Sequence, residues 1–138
     1  MAQAQKTLIV RSVELPQRKN FENDFEWLCE CLGLTSGEKG DLAPVIFRQI
    51  VESEKSGRPS KSIVISRKFK VTRGGAVYHL NRLIETGLVV RHGREYELRA
   101  ANLTETMDEV EEDMLRMFKR MKQIAREMDE ELGFQVRE

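Results

Sequence analysis

The chain has 138 residues, 33% of them charged and 40% hydrophobic, which allows one hydrophobic core with an appendage but not two independent domains. No apolar run approaches the ~20 residues that span a bilayer, and residues 1–5 lack the basic-then-apolar layout of a signal peptide, so a cytoplasmic protein with no membrane partner is expected. The formal net charge is zero, yet the charge is unevenly placed: residues 55–99 carry 11 Lys and Arg against only Glu85, Glu95 and Glu97, while both flanking stretches are acidic. The local field over the middle third is positive, and that field, not the whole-chain balance, decides whether a polyanion is attracted.

Residues 7–15, TLIVRSVEL, are rich in β-branched side chains and end at Pro16, a pattern that predicts a strand. Residues 1–20 thus read as an N-terminal strand or arm. A helix is expected from about Asn23, with Phe25, Leu28, Cys29 and Leu32 at helical spacing and Gly33 as its stop. The next covers about residues 42–55, with Asp41 as N-cap, Pro44 tolerated in the first turn, and Ala43, Ile46, Phe47, Ile50 and Val51 forming a wide apolar stripe. Gly57 ends it, and residues 57–60 (GRPS) read as a turn.

A compact helix, turn and helix follow. Ser62 is the expected N-cap of a short helix through Phe69, Lys70 and Val71 form the turn, and Thr72 caps a second helix to about Thr86, stopped by Gly87. Residues 88–91 and 95–99 are short strands around a His92-Gly93 turn, the two-residue pattern of a hairpin. From Asn102 one long helix runs to about Leu132, opened by a capping box of Asn102 and Glu105, with acidic first turns that suit the positive end of the helix dipole. Met107, Met114, Met121 and Met128 recur every seven residues, and Leu103, Val110, Met117 and Ile124 fill the other apolar heptad position. Phe118, Ala125 and Leu132 widen the stripe. Such a one-sided apolar surface on a projecting helix needs a partner, and a second copy is the expected one. Asp113 and Arg120 flank the seam and suggest an antiparallel arrangement centred between them, although parallel pairing stays open and the widened stripe also allows packing on Phe21, Phe25, Trp27 and Leu28.

The segment SIVISRKFKVTRGGAVYHLNRLIETGLVVRHGREYELR, residues 62–99, resembles the winged helix-turn-helix domain of ArsR-like archaeal and bacterial regulators. The matching features are Thr72-Arg73 opening the second helix, His79-Leu80 and Leu83 within it, Gly87-Leu88-Val89 leaving it, and Gly93, Tyr96 and Leu98 in the hairpin, or wing. The resemblance covers about a quarter of the chain. It implies a mainly α (α+β) fold with a winged helix-turn-helix over residues 21–100, residues 72–82 as recognition helix, and residues 101–138 as a coiled-coil-like dimerisation helix.

The side chains agree with that implication on their own chemistry. With Ile65, Phe69, Ala76, Leu80 and Leu83 inward, Arg73, Gly74, Val77, Tyr78 and Asn81 point outward. Arg73 suits guanine or phosphate, Asn81 adenine or phosphate, and Val77 a thymine methyl. Thr72 and the amides of Arg73, Gly74 and Gly75 suit a phosphate at the helix start. Two glycines in a first turn lower helix propensity and point to close approach, either of a ligand or of a neighbouring helix. Arg91 and Arg94 flank the wing turn and would reach the backbone or minor groove, Arg67, Lys68 and Lys70 are better placed for phosphates than for bases, and Arg82 completes the expected DNA-binding set. The expected partners are therefore double-stranded DNA and a second copy, with Leu103, Met107, Val110, Met114, Met117, Phe118, Met121, Ile124 and Met128 between the copies. A basic winged helix can instead dock an acidic protein as a scaffold module, or bind DNA without sequence preference as an architectural protein.

Cys29 and Cys31 resemble the Cys-x-Cys sensor pair of some ArsR proteins but precede the recognition helix by about forty residues, and an i,i+2 spacing turns two helical side chains to different sides. A half-buried structural pair is expected, with His79 a packing residue and no metal or cofactor. No nucleophile, base and orienter, phosphate loop or paired catalytic carboxylate stands out, so an enzyme is not expected. No small-molecule effector can be named from these residues.

Overall fold

The computed structural model describes residues 8–35 and 41–135. They form a mainly helical chain with a small three-stranded antiparallel sheet and a long C-terminal helix. In chain order these are α1 (Phe21–Cys31), α2 (Ala43–Ser56), β1 (Ser60–Lys61), α3 (Ser62–Lys68), α4 (Arg73–Glu85), β2 (Val89–His92), β3 (Glu95–Leu98) and α5 (Leu103–Leu132).

The expected N-terminal strand does not form over residues 8–15, and Thr7 lies outside the described residues. The segment instead runs beside α1, held by the Arg11 N–H donating to the Cys31 carbonyl at 2.7 Å and the Trp27 indole donating to the Val13 carbonyl at 3.0 Å. Its β-branched side chains misled because strand preference reports the fit to a pleated, half-buried surface; Ile9, Val10 and Leu15 stay exposed here. Helix α1 starts two residues earlier than expected because the Asn20 side chain caps it, accepting the Asn23 amide at 2.8 Å.

Helix α2 buries Ile46, Phe47 and Ile50, and the Phe25 and Phe47 rings stack at 5.7 Å between centroids. Asp41 lies one position before the cap yet still accepts the Ala43 amide at 3.1 Å. The turn expected at residues 57–60 ends in β1, which pairs Ser60 with Tyr96 and Lys61 with Glu95. Two residues are too few to show a strand period. In β2 and β3, Val89 faces Leu98 and His92 faces Glu95, so the connecting turn is Gly93-Arg94, one residue later than expected. Gly93 adopts φ +61° there, the left-handed conformation that a two-residue hairpin needs. Sheet order is β1-β3-β2.

The core unites Ile65 of α3, Leu80 and Leu83 of α4, Leu88, Val89, Tyr96 and Leu98 of the hairpin, and the apolar stripes of α1 and α2. Helix α5 begins at the cap by Asn102, whose side chain accepts the Glu105 amide at 2.8 Å. Its first turns belong to this body: Val110 is in the core, Leu103 and Met107 pack against it, and the buried Thr106 hydroxyl accepts the Ala100 amide at 3.2 Å. Arg99 secures the next turn through a forked pair with Asp113, its Nη2 donating to Oδ1 at 3.1 Å. From Leu115 onward every residue of α5 is exposed. Among the described residues, no helix is long and apolar enough to cross a membrane.

Candidate nucleic-acid interface

The geometry that presents α4 is set in the four residues before it. The Phe69 amide closes α3 on the Ile65 carbonyl at 3.0 Å, and the Val71 amide returns to the Ser66 carbonyl at 3.0 Å. Lys70 between them has φ +53° and is the one non-glycine residue with positive φ among the described residues. A left-handed conformation costs a residue with a Cβ about 1 kcal/mol; here it lets the Val71 amide return to the end of α3 and turns the chain toward α4. Thr72 then caps α4, its Oγ1 accepting the Gly75 amide at 3.0 Å. That leaves the amides of Arg73 and Gly74 without intrahelical acceptors, at the positive end of the helix dipole.

The two glycines have different reasons. A Cβ on Gly75 would come within 3.2 Å of the Thr72 hydroxyl, so this glycine makes room for the cap itself. A Cβ on Gly74 would meet nothing within 4 Å. Crowding between helices therefore does not account for Gly74, and the space beside it at the start of α4 is open.

Arg73, Gly74, Tyr78 and Asn81 are exposed and Val77 is half-buried, whereas Ala76, Leu80 and Leu83 are buried. At 100° per residue the outward five span an arc of about 140°. Tyr78 is 62% exposed, a large aromatic held in water at one edge of this arc. The acidic member is Glu85, in the last turn of the helix. On α3, Arg67 and Lys68 are exposed, Lys68 bonding the Gln49 carboxamide. In the hairpin Arg91 lies 5.7 Å from the Tyr96 ring and donates from Nε to the Gly93 carbonyl at 2.6 Å, and Arg94 is exposed in the turn.

Arg82 differs from the other cations of the expected DNA-binding set. It donates to Asp41 at 3.1 Å and is partly covered, which ties α4 to the start of α2 and gives it a structural duty. His79 is half-buried, with an Nδ1 that has no hydrogen-bond partner among the described residues. Burial holds its imidazole below the usual histidine range, partly opposed by Asp41.

The residues expected between two copies divide into two groups. Leu103, Met107 and Val110 pack on the chain's own core and Met114 is half-buried, which removes Val110 in particular from any seam. Met117, Phe118, Met121, Ile124 and Met128 are each about half exposed. Leu115 and Leu132, at 54% and 71%, extend the same exposed stretch.

Cys29 is buried and its thiol is pushed up to about 12, chiefly by burial and further by Glu26 and Glu30. Such a thiol stays protonated at neutral pH and is a poor metal ligand or nucleophile. Cys31 is half-buried on another side of α1. Among the described residues, no group of three His, Cys, Asp or Glu side chains is placed to hold a metal. No family model, curated protein or solved structure matches this chain; the likeness to ArsR-like regulators rests on residues 62–99 alone.

Three structural contributors were missed in the sequence reading: Asn20 as a cap, Ser60–Lys61 as a strand, and Arg99 as the anchor of α5. An asparagine before an acidic helical turn was a signal for the first. The other two are tertiary contacts with no local pattern.

Proposed function

We propose that the chain is a winged helix-turn-helix protein that binds double-stranded DNA in a sequence-specific way and regulates transcription as a homodimer. The observation that carries this reading is the outward arc of α4: Arg73, Gly74, Val77, Tyr78 and Asn81 on a capped helix whose first amides are free. These groups can enter a major groove, Arg73 toward guanine and Asn81 toward adenine, while the Arg73 and Gly74 amides take a phosphate. Sheet order β1-β3-β2, with α3 and α4 between β1 and β2 in the chain, supports reading the hairpin as a wing, and Arg91 and Arg94 near its turn suit the flanking backbone. The reading is of a binding protein, not an enzyme, that needs no cofactor and acts in the cytoplasm.

Fluorescence anisotropy on a duplex from upstream of the chain's own coding sequence, against a scrambled duplex across a salt series, tests it. Preference of about a thousandfold with a steep salt slope is expected, and Arg73→Glu with Arg94→Glu should abolish it. Equal affinity for both duplexes would favour an architectural protein. Absence of binding at low salt, or affinity indifferent to the charge reversal, would favour a module that docks an acidic protein.

A further inference from the structure

After Met114 helix α5 carries an apolar face that nothing among the described residues covers. Six side chains, Met117, Phe118, Met121, Ile124, Met128 and Leu132, are 48–71% exposed and together present on the order of 600 Å² of apolar surface, near the ~800 Å² per partner of a standard interface. Charge along α5 falls in three blocks: acidic residues 105–113, basic residues 116–126 and acidic residues 127–131. In a parallel pair each block would lie against its own copy. Its flanking positions would also set Asp113, Arg120 and Glu127 against Phe118, Ala125 and Leu132, with no opposite charges to match.

We propose that two copies pair antiparallel through residues 115–132, centred between Lys122 and Gln123; the pairing takes the homodimer above as given and adds its direction and register. In this register Met121 packs on Ile124 of the second copy and Met117 on Met128, so the central layers are apolar. On one flank Phe118 meets Ala125, large against small. On the other Arg120 meets Glu127, and two-fold symmetry makes each contact twice. The neighbouring registers fail on charge or on availability. Shifted one heptad toward the N-terminus, Arg120 faces its own copy and Asp113 faces Glu127. Shifted one heptad the other way, Glu127 faces its own copy. The register centred between Asp113 and Arg120 needs Val110, which is 4% exposed within its own body, and Asp113, which is already held by Arg99.

Charge reversal reads the direction directly. Arg120→Glu and Glu127→Arg each place two like-charge pairs in the dimer, and each is expected to raise its dissociation constant about tenfold. Within one helix both changes remove a like-charge i,i+4 neighbour, Arg116 for the first and Glu131 for the second, so loss of pairing would not come from loss of helix. An equimolar mixture of the two variants restores both pairs. Native mass spectrometry should therefore show heterodimer well above the statistical half, and the double variant should regain wild-type affinity by analytical ultracentrifugation. A wild-type dimer whose variants match it, with a statistical mixture, would overturn the antiparallel register and leave the homodimer standing. A wild-type chain that stays monomeric would overturn both.

Discussion

At Thr72 one hydroxyl closes the first turn of α4 by accepting the Gly75 amide, and Gly75 lacks the Cβ that would press on it. Thr72→Ala should lower stability by about 1 kcal/mol, a loss of roughly 4–8 °C in the melting temperature of a body this size. Thr72→Ser should recover most of it, and thermal circular dichroism of the three chains reads the difference. His79 gives a pH signature instead. Its imidazole is held below the usual histidine range by burial, so as pH falls below about 6.5 the unfolded chain takes up a proton that the folded chain refuses. Stability therefore declines from that pH downward until the folded imidazole itself titrates. His79→Leu removes both the titration and a buried nitrogen without a partner among the described residues; urea midpoints between pH 7 and 5 should flatten, and an unchanged slope would place the pH dependence elsewhere.

Among the elements, α5 is two structures in sequence. Its first three turns are part of the body through Thr106, Val110 and the Arg99–Asp113 pair, whereas residues 115–132 are exposed along their whole length. Ending the chain after Met114 should leave a folded body whose melting temperature no longer depends on protein concentration, as the full chain's should if it dimerises. Unfolding of the shortened chain would show that the tail supports the body in a way its exposure does not reveal. The same helix shows what the sequence made legible. Its cap, length and apolar repeat follow from local rules at Asn102, Glu105 and the methionine spacing, and α4 was legible for the same reason from Thr72 to Glu85. The residues of the α4 arc were also readable, because period and polarity place Tyr78 and Asn81 away from Ala76, Leu80 and Leu83, while Arg73 stands free as the first residue of the helix. The division of the apolar stripe between the chain's own core and an exposed face was not readable, since Val110 and Met117 look alike until the body's surface is known. The N-terminal segment failed for a related reason: Ile9 and Val10 have strand chemistry but no strand edge beside them, and β structure is decided by that neighbour.

For the molecule as a whole, the proposed pairing would make the exposed helix a strut. From Val110, the last residue in the core, to the proposed centre is about 12 residues, or roughly 19 Å of helix, so the two Val110 positions would lie on the order of 40 Å apart along the shared axis. The scale is that of one DNA turn, about 34–36 Å between half-sites, and a helical strut resists a change in that spacing better than a flexible linker would. On a duplex with two half-sites the proposed dimer would engage phosphates twice, while the chain ending at Met114 would engage them once per body. Because the slope of log affinity against log salt counts neutralised phosphates, the shortened chain on one half-site should show about half the slope of the full chain on two. Inserting five base pairs between the half-sites turns one to the opposite side of the duplex, and the full chain should then bind with the slope and affinity of the shortened one. Equal slopes for the two chains on the uninterrupted duplex would mean that a single body makes all the DNA contacts, which would leave α5 free to serve a different partner.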